Sequence, residues 1–205
     1  MKLYFKIFIM LIMALFIEAP IFSLDYNFGD FSSRSVIENS LFNKTNQTSQ
    51  EMIDLLKQKG LDLSAGCLIK QIKSRNIQNI RILIEAKINL NQSVYGEYPI
   101  LFAVKSNDFE IVKLLHQSGA KFDKGFTSEL YVATKNGNSQ IANYLVDNNA
   151  KVDYISLVKN DTALYYALKN NMVDVAQKMI NRGVNIDKKS IDLIKKKKLN
   201  YLISQ

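Results

Sequence analysis

The chain contains a single cysteine, a single histidine, two prolines and no tryptophan among its 205 residues. One thiol, Cys67, excludes an internal disulfide, so packing has to hold the fold together. A lone thiol and a lone imidazole also leave little for active-site chemistry. A nucleophile needs a base and an orienting group, and a metal needs clustered ligands. Cys67 reads as a small buried residue in the turn before a helix. His116 reads as packing or surface on a different helix. The eight glycines are scattered, so no phosphate-cradling loop is present. Paired acids such as Asp108 and Glu110 fall at a helix-to-helix turn, where solvated carboxylates are ordinary. These absences point away from an enzyme and imply neither a cofactor nor a metal. Few prolines and glycines in a chain that is 47% hydrophobic and 22% charged suit one soluble, mostly helical domain with a real core.

Long apolar runs are scarce too. The longest, Ile7 to Ile17, follows Lys2 and Lys6 and ends at Glu18 and Pro20. As helix it spans roughly 16 Å, short of a ~30 Å bilayer core. A basic start, a short apolar segment and a polar exit mark a secretory signal peptide over residues 1–23, with cleavage expected after Ser23. The alternative is an uncleaved membrane anchor that also uses Leu3 to Phe5. Residues 24–40 form a polar lead-in. The expected location is outside the cytoplasm, periplasmic or secreted, with membrane contact only if the segment stays attached.

What the sequence does have is repetition. "IVKLLHQSGAKFD" from Ile111 returns as "IANYLVDNNAKVD" from Ile141 and "VAQKMINRGVNID" from Val175, at intervals of 30 and 34 residues. Apolar positions 111, 112, 114 and 115 line one face of a helix. Gly119 stands where that helix must stop in a left-handed residue. Gly60 and Gly183 are its equivalents, and Asn149 is the next most tolerant substitute. Lys87 breaks the residue rule. Upstream of each phrase lies a shorter helix: "YPILFAVKSND" at Tyr98, "SELYVATKNGN" at Ser128 and "TALYYALKNNM" at Thr162. Ser128 and Thr162 suit N-caps, Pro99 suits the first helical position, and Ala103, Ala133 and Ala167 share one position where helices approach closely.

These features resemble the ankyrin repeat, whose pattern is T-P-L-H-x-A, a Gly turn, V-V-x-L-L and G-A-x-V-N over about 33 residues. The matches include Pro99, Ala103, Leu114, Leu115, Gly119 and Ala120 in one copy. Ser128, Leu130, Ala133, Gly137 and Leu145 carry the next, and Thr162, Leu164, Ala167 and Gly183 the last full one. The resemblance implies an all-α solenoid over residues 41–205, with four to five repeats at about 41–64, 65–95, 96–125, 126–158 and 159–187 and a cap at 188–205. The family's His is replaced by Ile69, Leu101, Tyr131 and Tyr165, so its hydrogen bonds must be absent or remade by the tyrosines. Loops before Leu68 and Phe126 are short, which predicts stunted β-turn fingers there. A tetratricopeptide array would need longer helices.

Two residues after the shared Ala position stands a lysine in each copy: Lys73, Lys105, Lys135 and Lys169. Ser74, Ser106, Asn136 and Asn170 follow. The resemblance places these positions on the inner helices, facing a concave groove, where stacking would space the ammonium groups ~8–10 Å apart. Lys73, Lys105, Ser106, Lys135, Asn136, Lys169 and Asn170 are therefore the candidate partner-binding residues. Lysine is also common throughout this chain of net charge +8, and a copied repeat carries its lysines with it. The implied function is that of a non-enzymatic, monomeric protein-binding module, with a partner that is acidic if the ladder is used. An anionic surface or polymer is the alternative. Nucleic acid is not expected, since export argues against it and no aromatic stacking set is apparent beside the lysines. Lys195 to Lys198 read as the polar outer face of a terminal cap.

Overall fold

The computed structural model describes residues 49–204. The signal-peptide or anchor segment 1–23, the lead-in 24–40 and the first part of the repeat at 41–64 lie outside them. The described residues form ten α-helices and a terminal 3-10 turn. Helix α1 covers 49–58. The remaining helices are α2 Ala65–Lys73, α3 Ile77–Glu85, α4 Pro99–Lys105, α5 Phe109–Gln117, α6 Glu129–Lys135, α7 Ser139–Asp147, α8 Ala163–Lys169, α9 Val173–Asn181 and α10 Lys188–Lys196, with the 3-10 turn at Asn200–Ile203. Helices of seven to ten residues are marginal alone and gain stability by burying an apolar face against neighbours. Even-numbered helices pack in a continuous inner row from α2 to α10, and odd-numbered helices pack against their own partners and along an outer row. This is the stacked solenoid the repeats imply, and its helices are too short for a tetratricopeptide array.

The recurring phrase has a local cause at its end. Gly60, Lys87, Gly119, Asn149 and Gly183 all adopt positive φ, between 60° and 103°. Around Gly119, Ala120 N–H donates to Leu115 O at 2.9 Å and Gly119 N–H to His116 O at 3.0 Å. This paired closure recurs at each of the five outer helices, including Ile88 to Leu83 at 3.1 Å around Lys87. Leu115 and Ala120, buried together, supply the accompanying apolar contact. Lys87 therefore breaks the residue rule and keeps the conformation, because the bonds and the burial of Ile88 outweigh a left-handed cost of ~1–2 kcal/mol.

The inner helices start as the sequence indicates. Ser128 Oγ accepts from Tyr131 N–H, Thr162 Oγ1 accepts from Tyr165 N–H, and Pro99 occupies the first helical position. Ala103, Ala133 and Ala167 are fully buried, which lets the inner row close up. Gln71 takes the equivalent place in α2 and accepts from the Asn79 side-chain amide at 3.0 Å. Asp108 is more than a solvated turn residue. Its carboxylate caps α5 by accepting from Ile111 N–H and lies 3.6 Å from Arg75 of the preceding repeat.

The terminal Asp or Asn of three of the phrases ties neighbouring repeats together. Asn91 accepts from Lys121 N–H at 2.8 Å and donates to Gly119 O at 3.0 Å. Asp123 accepts from Lys151 N–H at 2.7 Å, and Asp153 from Asn185 N–H at 3.0 Å. These side chains, rather than the tyrosines that replace the family's His, form a polar ladder between repeats. Tyr131 and Tyr165 instead join a ring cluster with Tyr154 and Tyr166, with centroids 5.0–5.5 Å apart.

Candidate functional site

The inner helices and the loops that precede them form the edge on which the candidate residues sit. Two of these loops are true fingers, closed by single β-bridges, Val94 with Glu97 and Ile155 with Thr162. The loops before α2 and α6 carry no bridge, as their shortness predicts. The second finger is braced from the cap. Lys189 of α10 donates to Asp161 Oδ1 at 2.6 Å and to the carbonyl of Lys159 at 3.3 Å. Ser156 N–H donates to Asp161 O and Asn160 N–H to Ser156 O, at 2.9 and 2.8 Å. The hydrogen bond from Lys189 holds the Asp161 carboxyl below the usual carboxylate range, and burial with the Asp161 contact pushes Tyr166 up to about 12.

The four ladder lysines end four successive inner helices and are all exposed. Each lies over an aromatic ring. Lys73 and Lys105 flank Phe102 at 4.8 and 5.5 Å from its centroid, Lys135 covers Tyr131 at 5.5 Å, and Lys169 covers Tyr165 and Tyr166 at 5.7 Å. Aromatic rings thus do stand beside the lysines, although Tyr131 and Tyr166 are themselves buried. Such contacts contribute ~0.5–1 kcal/mol each at exposed sites. Lys105 also pairs with Glu97 of the first finger.

The polar residues that follow the lysines have unequal surroundings. Asn170 donates to Thr134 O at 2.7 Å, closing the end of α6 from the next repeat. Ser106 lends its carbonyl to the Arg75 guanidinium at 2.9 Å. Asn136 is exposed at the end of α6 and borders a cavity. In the cap, Lys197 donates to Lys169 O at 3.2 Å, so part of the terminal lysine run closes α8 rather than only facing solvent.

Two open cavities of about 700 Å³ lie along this edge. The first is walled by Val94 and Tyr95 and floored by Phe102, with Lys70 and Lys73 at its rim. The second is walled by Phe126, Leu157 and Val158 and floored by Tyr131 and Tyr154, with Lys105, Lys135 and Lys159 at its rim. Tyr95, Phe126, Leu157 and Val158 are almost wholly exposed, at 88% or more. Sequence reasoning missed these finger-tip side chains. A run such as Ile155 to Val158, apolar yet lying between a phrase and its next helix, was the available signal.

The chemistry-bearing residues lie elsewhere and apart. His116 stacks on Phe122 at 4.3 Å and meets the Tyr144 hydroxyl at 2.9 Å, and burial lowers its pKa. Cys67 lies in the first turn of α2 rather than in the turn before it, and it is half-buried rather than buried, with its N–H capped by Ser64. Among the described residues, no group of three or more His, Cys, Asp or Glu could hold a metal ion, and no helix is long and apolar enough to cross a membrane.

Family models described as ankyrin repeats match residues 68–116 and 123–190. The chain is similar to two ankyrin repeat proteins of Acanthamoeba polyphaga mimivirus. One is 32% identical over 130 residues, covering 60% of this chain and 38% of the relative. The other is 30% identical over 135 residues, covering 61% and 18%. An ankyrin repeat protein of fowlpox virus is 29% identical over 115 residues, covering 55% and 28%. The chain therefore spans well under half the length of each of these relatives.

Proposed function

The chain belongs to the ankyrin repeat family, and on that premise we propose that it binds an acidic protein partner through the lysine-rimmed edge of its inner helices. Ankyrin repeats make it a protein–protein interaction module, and proteins of this kind are generally non-enzymatic. The finer reading is carried by one observation: lysines end four successive inner helices beside open cavities. A rigid stack fixes the spacing of these charges, so a partner with matching carboxylates binds without ordering the surface first. The exposed Lys105–Glu97 pair contributes little by itself, and an incoming carboxylate can replace Glu97.

Changing Lys73, Lys105, Lys135 and Lys169 together to Glu should abolish partner capture while the helical circular dichroism spectrum is kept at about 20 °C; loss of the four ring contacts should lower the thermal midpoint by about 5–15 °C. Capture by a folded quadruple variant at the wild-type level would contradict the proposal. The rings beneath the lysines favour one second reading, in which a flexible anionic polymer uses the same strip. A steep fall of affinity with salt and indifference to partner sequence would select it.

Export is part of the proposal and rests on the sequence of residues 1–23 alone. The mature chain should begin at Leu24. A mature chain that retains residues 3–17 in the membrane fraction would select the tethered alternative.

A further inference from the structure

We propose that the partner presents an extended acidic segment with two large apolar side chains about six residues apart, one for each cavity. The inference rests on the lysine-edge reading and adds the apolar anchors and their spacing.

The finger tips are apolar and exposed, and the backbones that carry them are closed by bridges. Leu157 and Val158 project from a finger closed by the Ile155–Thr162 bridge and clamped by Lys189. Tyr95 sits at the tip of the other bridged finger, between Val94 and Glu97. Exposed apolar groups on braced loops, each above an aromatic floor, mark contact sites rather than incidental surface. The charge at both rims has one sign apart from Glu97, with Lys70 and Lys73 at the first cavity and Lys105, Lys135 and Lys159 at the second. An apolar ligand alone would leave these ammonium groups unanswered, and an acidic ligand without anchors would leave the finger tips bare. The complement is a segment with both features.

The register sets the spacing. The Tyr95 finger precedes α4 and the Leu157 finger precedes α8, so the two cavities lie two repeats apart along the inner row. At ~8–10 Å per packed helix this is roughly 16–20 Å. An extended chain advances ~3.3 Å per residue, giving about six residues between anchors. An even separation places both anchors on one side of the segment. Carboxylates two and four residues after the first anchor then share that side and meet Lys73 and Lys105.

The test uses the full chain and synthetic fluorescent peptides read by anisotropy. The probe carries two Phe about six residues apart, with Asp and Glu between them. One control places the two Phe side by side, a second replaces both with Ser, and a third replaces the acids with Lys. The spaced acidic peptide should bind at least about tenfold more tightly than any control. Tyr95→Ser and the pair Leu157→Ser, Val158→Ser should each weaken it about tenfold, with unchanged melting because the positions are exposed. Equal binding of the spaced, adjacent and Ser peptides would overturn the anchor inference. If that binding still vanished in the quadruple Lys→Glu variant, the lysine-edge reading would survive. Binding unaffected by that variant, or no binding of any acidic peptide, would overturn both.

Discussion

Leu145→Ala should lose ~2–5 kcal/mol of unfolding free energy in urea denaturation followed by circular dichroism. Leu145 is fully buried in α7, the outer helix of a central repeat. That helix packs on α6 of its own repeat and on α5 and α9 of the repeats either side. Truncation thus leaves a cavity lined by groups from several helices, which cannot all collapse into it. Leu145 O also accepts from Ala150 N–H at 2.9 Å, and the apolar contact over that closure disappears with the side chain. Against a typical domain stability of ~5–15 kcal/mol, the loss is large enough to populate partly unfolded stacks. A loss below about 1 kcal/mol would mean that Leu145 does not join the repeats.

Glu129 alone should make wild-type stability fall by about 3 kcal/mol as pH rises from 4.5 to 7, while His116, whose pKa burial lowers, contributes in the opposite sense over the same range. Glu129 occupies the first position of α6 and is buried. Burial pushes its pKa from 4.5 up to about 7, and the neighbouring Asp123 carboxylate pushes the same way. Asp123 N–H donates to Glu129 Oε2 at 2.9 Å, which favours the charged form and offsets only part of the burial. The folded pKa of this acid lies above its unfolded value. Below pH 4.5 both states hold the proton and the group contributes nothing. Between 4.5 and about 7 the unfolded chain releases a proton that the folded chain keeps, so stability declines until the folded group also ionises. Asp123 is raised by burial as well, chiefly opposed by the backbone N–H of Lys151, and adds a decline of the same sign. Glu129→Gln should flatten most of this slope and be the more stable protein at pH 8. A variant that keeps the wild-type slope would assign the pH dependence to another group.

How much of this was legible in the sequence depends on whether the controlling contacts are local. The outer helices and their left-handed ends were, because Leu114, Leu115 and Gly119 act within one turn of each other. Lys87 was not, because its conformation is enforced by the Ile88 N–H bond and by the burial of Ile88 rather than by its own preference. The position of the lysine ladder was legible as periodicity. Its aromatic companions were also there to be read, since Phe102 precedes Lys105, Tyr131 precedes Lys135, and Tyr165 and Tyr166 precede Lys169 by about one helical turn. The Lys73–Phe102 contact crosses between repeats and has no local signal. Glu129 at a helix start reads as a solvated, dipole-favoured acid. Its burial comes from the short loop before α6, whose Asp123 folds back onto it. The finger tips fall in the same class. Leu157 and Val158 are ordinary apolar letters, and only the bridge and the Lys189 clamp set them outward beside a lysine rim.

Hydrogen exchange on the Leu145→Ala protein tests most directly whether each repeat depends on its neighbours alone. A stack predicts that amide protection falls most in α6 to α9, and that α2 and α3, two repeats away, keep most of theirs. Equal loss of protection from α1 to the 3-10 turn would describe a single closed core and contradict the account.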